Sequence, residues 1–230
     1  MNRSLAILAV GALNASASGQ FLSGDLGAVL QIRADPLTEE QVEQSRLAGL
    51  LIGETASVLA RGAVHSAVYP SPAAMGVGLV SATAALEATS VSGEISMGCA
   101  LNESFGETVM VHGLAGLILE FEAAARLDVL TLSSVGPDEG IFTASLFALD
   151  GPSSPLDLTP TGGTVSVRLD EGRYQLMLMW DMLAINPAGG SSSLLDLPGP
   201  FAFDATLTPA PGTIGLLALA GLVVARRRRG

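Results

Sequence analysis

Between Thr164 and Leu183 apolar and polar residues alternate with a period of two on both sides of a three-residue break, a pattern that no helix satisfies. Val165, Val167 and Leu169 point one way and Ser166, Arg168 and Asp170 the other. Asp170, Glu171 and Gly172 form a short turn, with Gly where a positive φ is needed. The next strand then puts Tyr174, Leu176, Leu178 and Trp180 on one face and Gln175, Met177, Met179 and Asp181 on the other. This spacing predicts a β-hairpin.

The same period recurs along the chain. Val29, Leu30 and Ile32 mark a first strand within Gly19 to Ala34, and Thr55 to Tyr69 alternates loosely until Pro70 and Pro72. In the tract from Gly76 to Leu101, Val91, Ile95 and Met97 alternate with Ser92, Glu94 and Ser96. Leu117, Leu119 and Phe121 alternate with Glu120 and Glu122; Leu127, Val129 and Thr131 then alternate with Asp128 and Leu130, giving two strands joined through Ala123 to Arg126. Gly136 to Gly140 is a turn, Ile141 to Leu149 a strand, Asp150 to Pro160 an exposed loop, Gly189 to Ser193 another loop, and Phe201 to Leu207 a final strand. One segment reads differently: Leu37, Thr38 and Gln41 form a capping box with a hydrophobic staple to Val42, which predicts a short helix to about Ile52 before Gly53. Many short strands with Gly and Pro turns and at most one helix predict a mainly β fold, an antiparallel β-sandwich of jelly-roll type.

The ends of the chain have a different character. Met1, Asn2 and Arg3 precede an apolar run, Ser4 to Leu13, and small residues at Ala15 and Ala17, which is the layout of a secretory signal peptide cleaved after Ala17, with Ala15 and Gly19 as competing sites. At the other end Pro209, Ala210, Pro211 and Gly212 break the chain. An uncharged apolar run, Thr213 to Ala225, follows, and then Arg226, Arg227, Arg228 and Arg229. As a helix the run covers about 20 Å, short of the roughly 30 Å hydrocarbon core, so it would span with help from snorkelling arginines. The arginines belong on the cytoplasmic side. Three parts follow: a signal peptide over 1–17, a secreted sandwich over 18–207, and a sorting or anchor segment over 208–230.

This breaker, apolar helix and arginine stop resembles the PEP-CTERM sorting signal of Gram-negative bacteria, with Ala210 standing where that family usually has Glu. The resemblance covers about the last 22 residues. It implies recognition and cleavage of the tail by an exosortase, a membrane protease, after transient anchoring in the inner membrane. It also implies delivery of the body to the cell surface or the extracellular matrix, where exopolysaccharide is a neighbour.

Charge narrows the partners. Arg3 and the four terminal arginines are five of the 11 basic residues; the remaining six face 22 acidic ones, a net of −16 for the body. Such a body repels nucleic acid and anionic membranes. No lysine occurs in the chain, so no phosphate-cradling loop ends in one. Cys99 is a single cysteine, suited to a buried strand position. His65 and His112 sit in no metal-ligand spacing and read as strand residues, so no cofactor is expected; weak calcium binding is the one exception, through acidic loops around Asp150, Asp157 and Asp196. Glu120 and Glu122 lie on one strand face roughly 7 Å apart and read as a solvated face rather than a glycosidase pair. No nucleophile elbow is present, and the expectation is a structural protein without catalysis. A carbohydrate-binding module on the same scaffold is the alternative and a calcium-stabilised adhesin a further one, although Trp180 and Tyr174 share a face with leucines, where packing explains them better than sugar stacking.

Overall fold

In the computed structural model the described residues are 19–35, 41–65, 74–101, 108–124, 128–135, 141–151, 154–160, 163–186, 193–196 and 201–208. Both ends of the chain, with Ala15, Ala17, Pro209 to Gly212 and Arg226 to Arg229, lie outside them, as do the capping residues Leu37 and Thr38.

The described chain forms β1 (Gln20–Asp35), β2 (Gln41–Leu51), β3 (Glu54–His65), β4 (Ala74–Leu86), β5 (Ser90–Leu101), β6 (Thr108–Ala123) and β7 (Asp128–Val135). It continues through β8 (Ile141–Ala148), β9 (Leu156–Asp157), β10 (Thr164–Leu169), β11 (Gly172–Asn186), β12 (Ser193–Asp196) and β13 (Phe201–Thr208). Two antiparallel sheets result, ordered β2-β1-β6-β11-β8-β9 and β10-β7-β13-β5-β4-β3, with β12 paired to β5. The expected antiparallel β-sandwich is the fold.

The core lies where the two inner faces meet. Trp180, Phe21, Phe121, Leu26, Leu30 and Leu117 are fully buried between the layers. Alternation is kept along whole strands: in β6 every odd residue from Val109 to Ala123 faces inward, and in β13 Phe201, Phe203, Ala205 and Leu207 do. A one-residue slip would expose each of these sets, which is what fixes the register.

Three expectations are corrected. The segment predicted as a helix from Thr38 to about Ile52 is strand β2 where it is described, paired with β1 from Arg33↔Gln41 to Ser23↔Leu51. Without it β1, buried along its inner face, would be a 16-residue open edge. Eleven ladder positions outweigh a helix already weakened by Gly49, since propensity yields to tertiary pairing. Gly53, the expected helix stop, turns the chain into β3 at φ +81°, a conformation that side chains with a Cβ rarely adopt.

The second correction concerns the hairpin. β10 and β11 join through Asp170 and Glu171 as expected, with Gly172 at φ +155°, but they do not pair with each other. β10 pairs with β7 in one sheet, while β11 lies between β6 and β8 in the other. The turn is an arch across the core. Alternation is the same for strands side by side and strands face to face, so the sequence pattern did not separate the two.

The third correction is a choice of face. In β7 the buried side is Asp128, Leu130 and Leu132, while Val129 and Thr131 are only partly covered. The tract from Gly76 to Leu101 also resolves into two strands, β4 and β5, joined by the turn at Glu87 to Thr89 and in register from Gly76↔Leu101 to Leu86↔Val91.

Candidate functional site

The arch between β10 and β11 leaves an open depression of about 600 Å³, lined by Glu122 at the end of β6, Asp150 just beyond β8, and Asp170, Glu171, Gly172 and Arg173. Four carboxylates and one guanidinium meet there because three strand ends and the tight arch converge. Arg173 N–H donates to Asp150 Oδ2 at 2.7 Å, and the Arg173 guanidinium donates to Glu120 at 3.2 Å. Below them Tyr174 stacks on Phe121, centroids 5.5 Å apart, and its hydroxyl donates to Asp170 O at 3.0 Å. Burial, then the neighbouring Asp170 and Asp150 carboxylates, push the Tyr174 hydroxyl above its usual pKa. The depression can accept hydrogen bonds from a polyhydroxylated or cationic ligand. Tyr174 is half-buried against Phe121 and is not an open platform.

The acidic residues named for calcium are not gathered. Asp150 belongs to this depression. Asp157, in β9 at the edge of the first sheet, accepts from Thr159 N–H at 2.8 Å, and both the hydroxyl and the amide of Thr159 hold its carboxyl below the ordinary aspartate value. Asp196 closes β12 against Gly98 in the other sheet. Among the described residues no group of three or more His, Cys, Asp or Glu side chains is placed to hold a metal ion.

The remaining chemistry-bearing residues are dispersed. His112 Nε2 lies 2.9 Å from Asp181 Oδ1 on the outer face of the first sheet. The cross-strand neighbours of His112 are Gln31 and Leu183, neither a nucleophile. Glu120 and Glu122 lie on one face of β6 as expected, Glu120 paired to Arg173 and Glu122 exposed. His65 ends β3. Cys99 is buried in β5, and desolvation raises its thiol pKa. Trp180 is buried against Phe201, centroids 5.2 Å apart, in agreement with the core reading.

Sequence reasoning missed the difference between the two outer faces. On the first sheet Leu47, Ile118, Leu183 and Ile185 are exposed, Leu47 to 74%, with Met177 and Met179 half-buried among them. The outer face of the second is mixed: Thr83, Ser92, Ser96, Thr131 and Thr206 share it with exposed Leu59, Val77, Leu79 and Val135, and the Thr131 and Ser166 hydroxyls lie 3.0 Å apart. The signal was present in β11, where Met177, Met179, Leu183 and Ile185 make the face opposite Trp180 apolar too.

No protein-family model matches the chain, and no curated protein does. Among solved structures, a carbohydrate-binding module in complex with β-1,4-galactotriose is 11% identical, over 49% of this chain and 70% of its own, with a TM-score of 0.27. The secreted serine protease VesC of Vibrio cholerae is 7% identical over 90% of this chain, which spans about half of that protein (54%), with a TM-score of 0.24. Neither likeness bears on what this chain binds or does.

Proposed function

We propose that the protein is an exported, surface-sorted structural component of a Gram-negative extracellular matrix, anchored briefly by its C-terminal segment and released from it by an exosortase-like protease. The observation that carries this reading is how its polar side chains are used. Asp128, Asp150 and Asp157 accept from backbone amides at strand ends, and Arg173–Glu120 and His112–Asp181 tie neighbouring strands together. These groups fasten a rigid two-layer body. Exposed apolar side chains on the outer faces, Leu47, Leu183 and Ile185 of the first sheet and Val135 of the second among them, give that body surface for association.

Intact-mass spectrometry of the surface fraction tests the proposal. The released protein should lack Thr213 to Gly230 and end close to Pro211. Replacing Arg226 to Arg229 with Ser should weaken membrane retention, each arginine contributing about 1 kcal/mol near an anionic leaflet. Pro209 and Pro211 to Ala should leave retention intact and block cutting. A surface protein that keeps its arginine tail makes the segment a permanent anchor and removes the exosortase.

The second reading, a carbohydrate-binding module, draws on the open depression at the arch, whose carboxylates and Arg173 could bond sugar hydroxyls. Hits on a glycan array that Arg173→Ala abolishes would favour it. A blank array retires it.

A further inference from the structure

Two glycines stand side by side in the middle of the first sheet, Gly27 in β1 opposite Gly116 in β6, both on its outer face. Glycine weakens a strand interior, and where it occurs it ordinarily serves a bulge, a positive φ or the close approach of another group. Neither residue has a positive φ, and the β1–β6 register runs unbroken from Ser23 to Asp35. Nor does this chain crowd them. A Cβ at Gly27 would meet nothing nearer than 3.7 Å and one at Gly116 nothing nearer than 3.4 Å, whereas at the core-facing Gly24, Gly78 and Gly113 it would meet side chains at 2.8, 2.7 and 2.8 Å. Close approach from outside the chain is the reason left.

Around this dent the face is apolar. Leu114 pairs with Val29, Ile118 with Met177, Gly116 with Met179 and Gly27 with Leu47. From β2 to β8 those rows carry two charged residues, Asp25 and Asp181, and Asp181 is held by His112. The second sheet's outer face is broken up instead, with Leu79 opposite Arg61 and Leu59 opposite Ser81. We infer that the outer face of the first sheet binds a second copy of this chain, face to face, about a two-fold axis that runs along β6 through Gly116. The inference rests on the association role proposed above and names its partner. Met179 and Gly27 flank Gly116 on opposite sides, each one strand spacing of about 4.8 Å away, so the axis seats each copy's Met179 over the other copy's Gly27. One patch thus supplies both knob and dent, as an isologous interface requires. The two Gly116 backbones come together, Leu114 and Ile118 meet their counterparts, and Asp25 is faced by Met177 rather than by another carboxylate. Leu47, 74% exposed in the single chain, meets Thr143 at the far edge. Five strands over the eight residues of β8 present about 600 Å² per copy, or about 1,200 Å² for the pair, which clears the roughly 1,000 Å² a stable interface needs.

The protein is purified from the cells that make it, its two ends are read by intact mass, and its association is followed by sedimentation velocity. A reversible dimer is expected between about 1 and 100 μM. It should tighten in high salt, because two acidic bodies repel and salt screens that repulsion. Gly116→Ala fits the single chain and should keep or raise the melting temperature of the dilute protein, yet weaken the dimer about tenfold or more by overpacking the contact. Ile118→Ser should weaken it too, through lost apolar burial. Val135→Ser, the same kind of change at a 75% exposed position of the second sheet, should leave it intact. A monomer at every concentration, a dimer that Gly116→Ala and Ile118→Ser do not weaken, one that loosens in salt, or one that Val135→Ser dissociates overturns this inference. The sorting reading is judged separately by the ends: an arginine tail retained on a protein that dimerises through Gly116 overturns that reading and leaves the dimer standing.

Discussion

Replacing Trp180 with alanine separates a packed sandwich from a sugar-binding platform. The indole is 1% exposed, its ring centroid lies 5.2 Å from that of Phe201 with the planes at 31°, and Phe201 in turn meets Phe142 at 4.6 Å. Deleting so large a buried side chain costs about 3–5 kcal/mol in transfer and cavity terms. The tilted aromatic pair adds roughly 0.5–1.5 kcal/mol, part of which overlaps the first figure. A loss of about 4 kcal/mol is a large share of the roughly 5–15 kcal/mol that holds an ordinary domain together. Since Trp180 is the single tryptophan, unfolding in urea should be followed by far-UV circular dichroism rather than by indole fluorescence. Leu183→Ala, on the outer face of the same strand and 55% exposed, is the control and should cost less than about 0.5 kcal/mol. A Trp180→Ala loss under about 1 kcal/mol, or a loss of ligand affinity without one of stability, would refute the core assignment.

Cys99, 5% exposed with its thiol pKa raised by burial, should resist a disulfide reagent at pH 8 in the folded protein and react at once in urea; rapid labelling of the folded state would contradict its placement. The Asp157–Thr159 contact should fail on acidification. A carboxyl held below its usual pKa contributes order that is present above the unfolded value and lost as pH falls through the folded one, so the Thr159 amide should lose exchange protection only below the ordinary aspartate range. Asp157→Asn, which keeps an acceptor oxygen but cannot titrate, should remove that acid-side transition, and an unchanged profile would show the contact does not govern it. Millimolar calcium should leave the melting temperature unchanged, because Asp157 and Asp196 lie in different sheets and Asp150 is bonded to Arg173; a clear rise would identify a native-state calcium site.

Period-two alternation from Val165 to Trp180 and from Leu117 to Glu122 made the class of fold legible, because a strand's side chains must alternate whatever stands beside them. It also placed Trp180, Leu176 and Leu178 in the core. Which strand pairs with which was not legible. β10 and β11 look like a hairpin, yet they lie on opposite layers, since a three-residue turn serves an arch as well as a hairpin. The Thr38 to Ile52 segment carries local helix signals that lose to the long unpaired edge of β1, a requirement set by residues far along the chain. The acidic depression at Glu122, Asp150, Asp170 and Arg173 exists only because that arch brings separate strand ends together. The Gly19–Asp128 hydrogen bond has the same origin: the two residues are 109 positions apart, and only the closing of the two sheets puts the amide of one on the carboxylate of the other. Local sequence fixes where side chains point along a strand; long-range pairing, set by how apolar faces bury and backbone edges are satisfied, decides which of them meet.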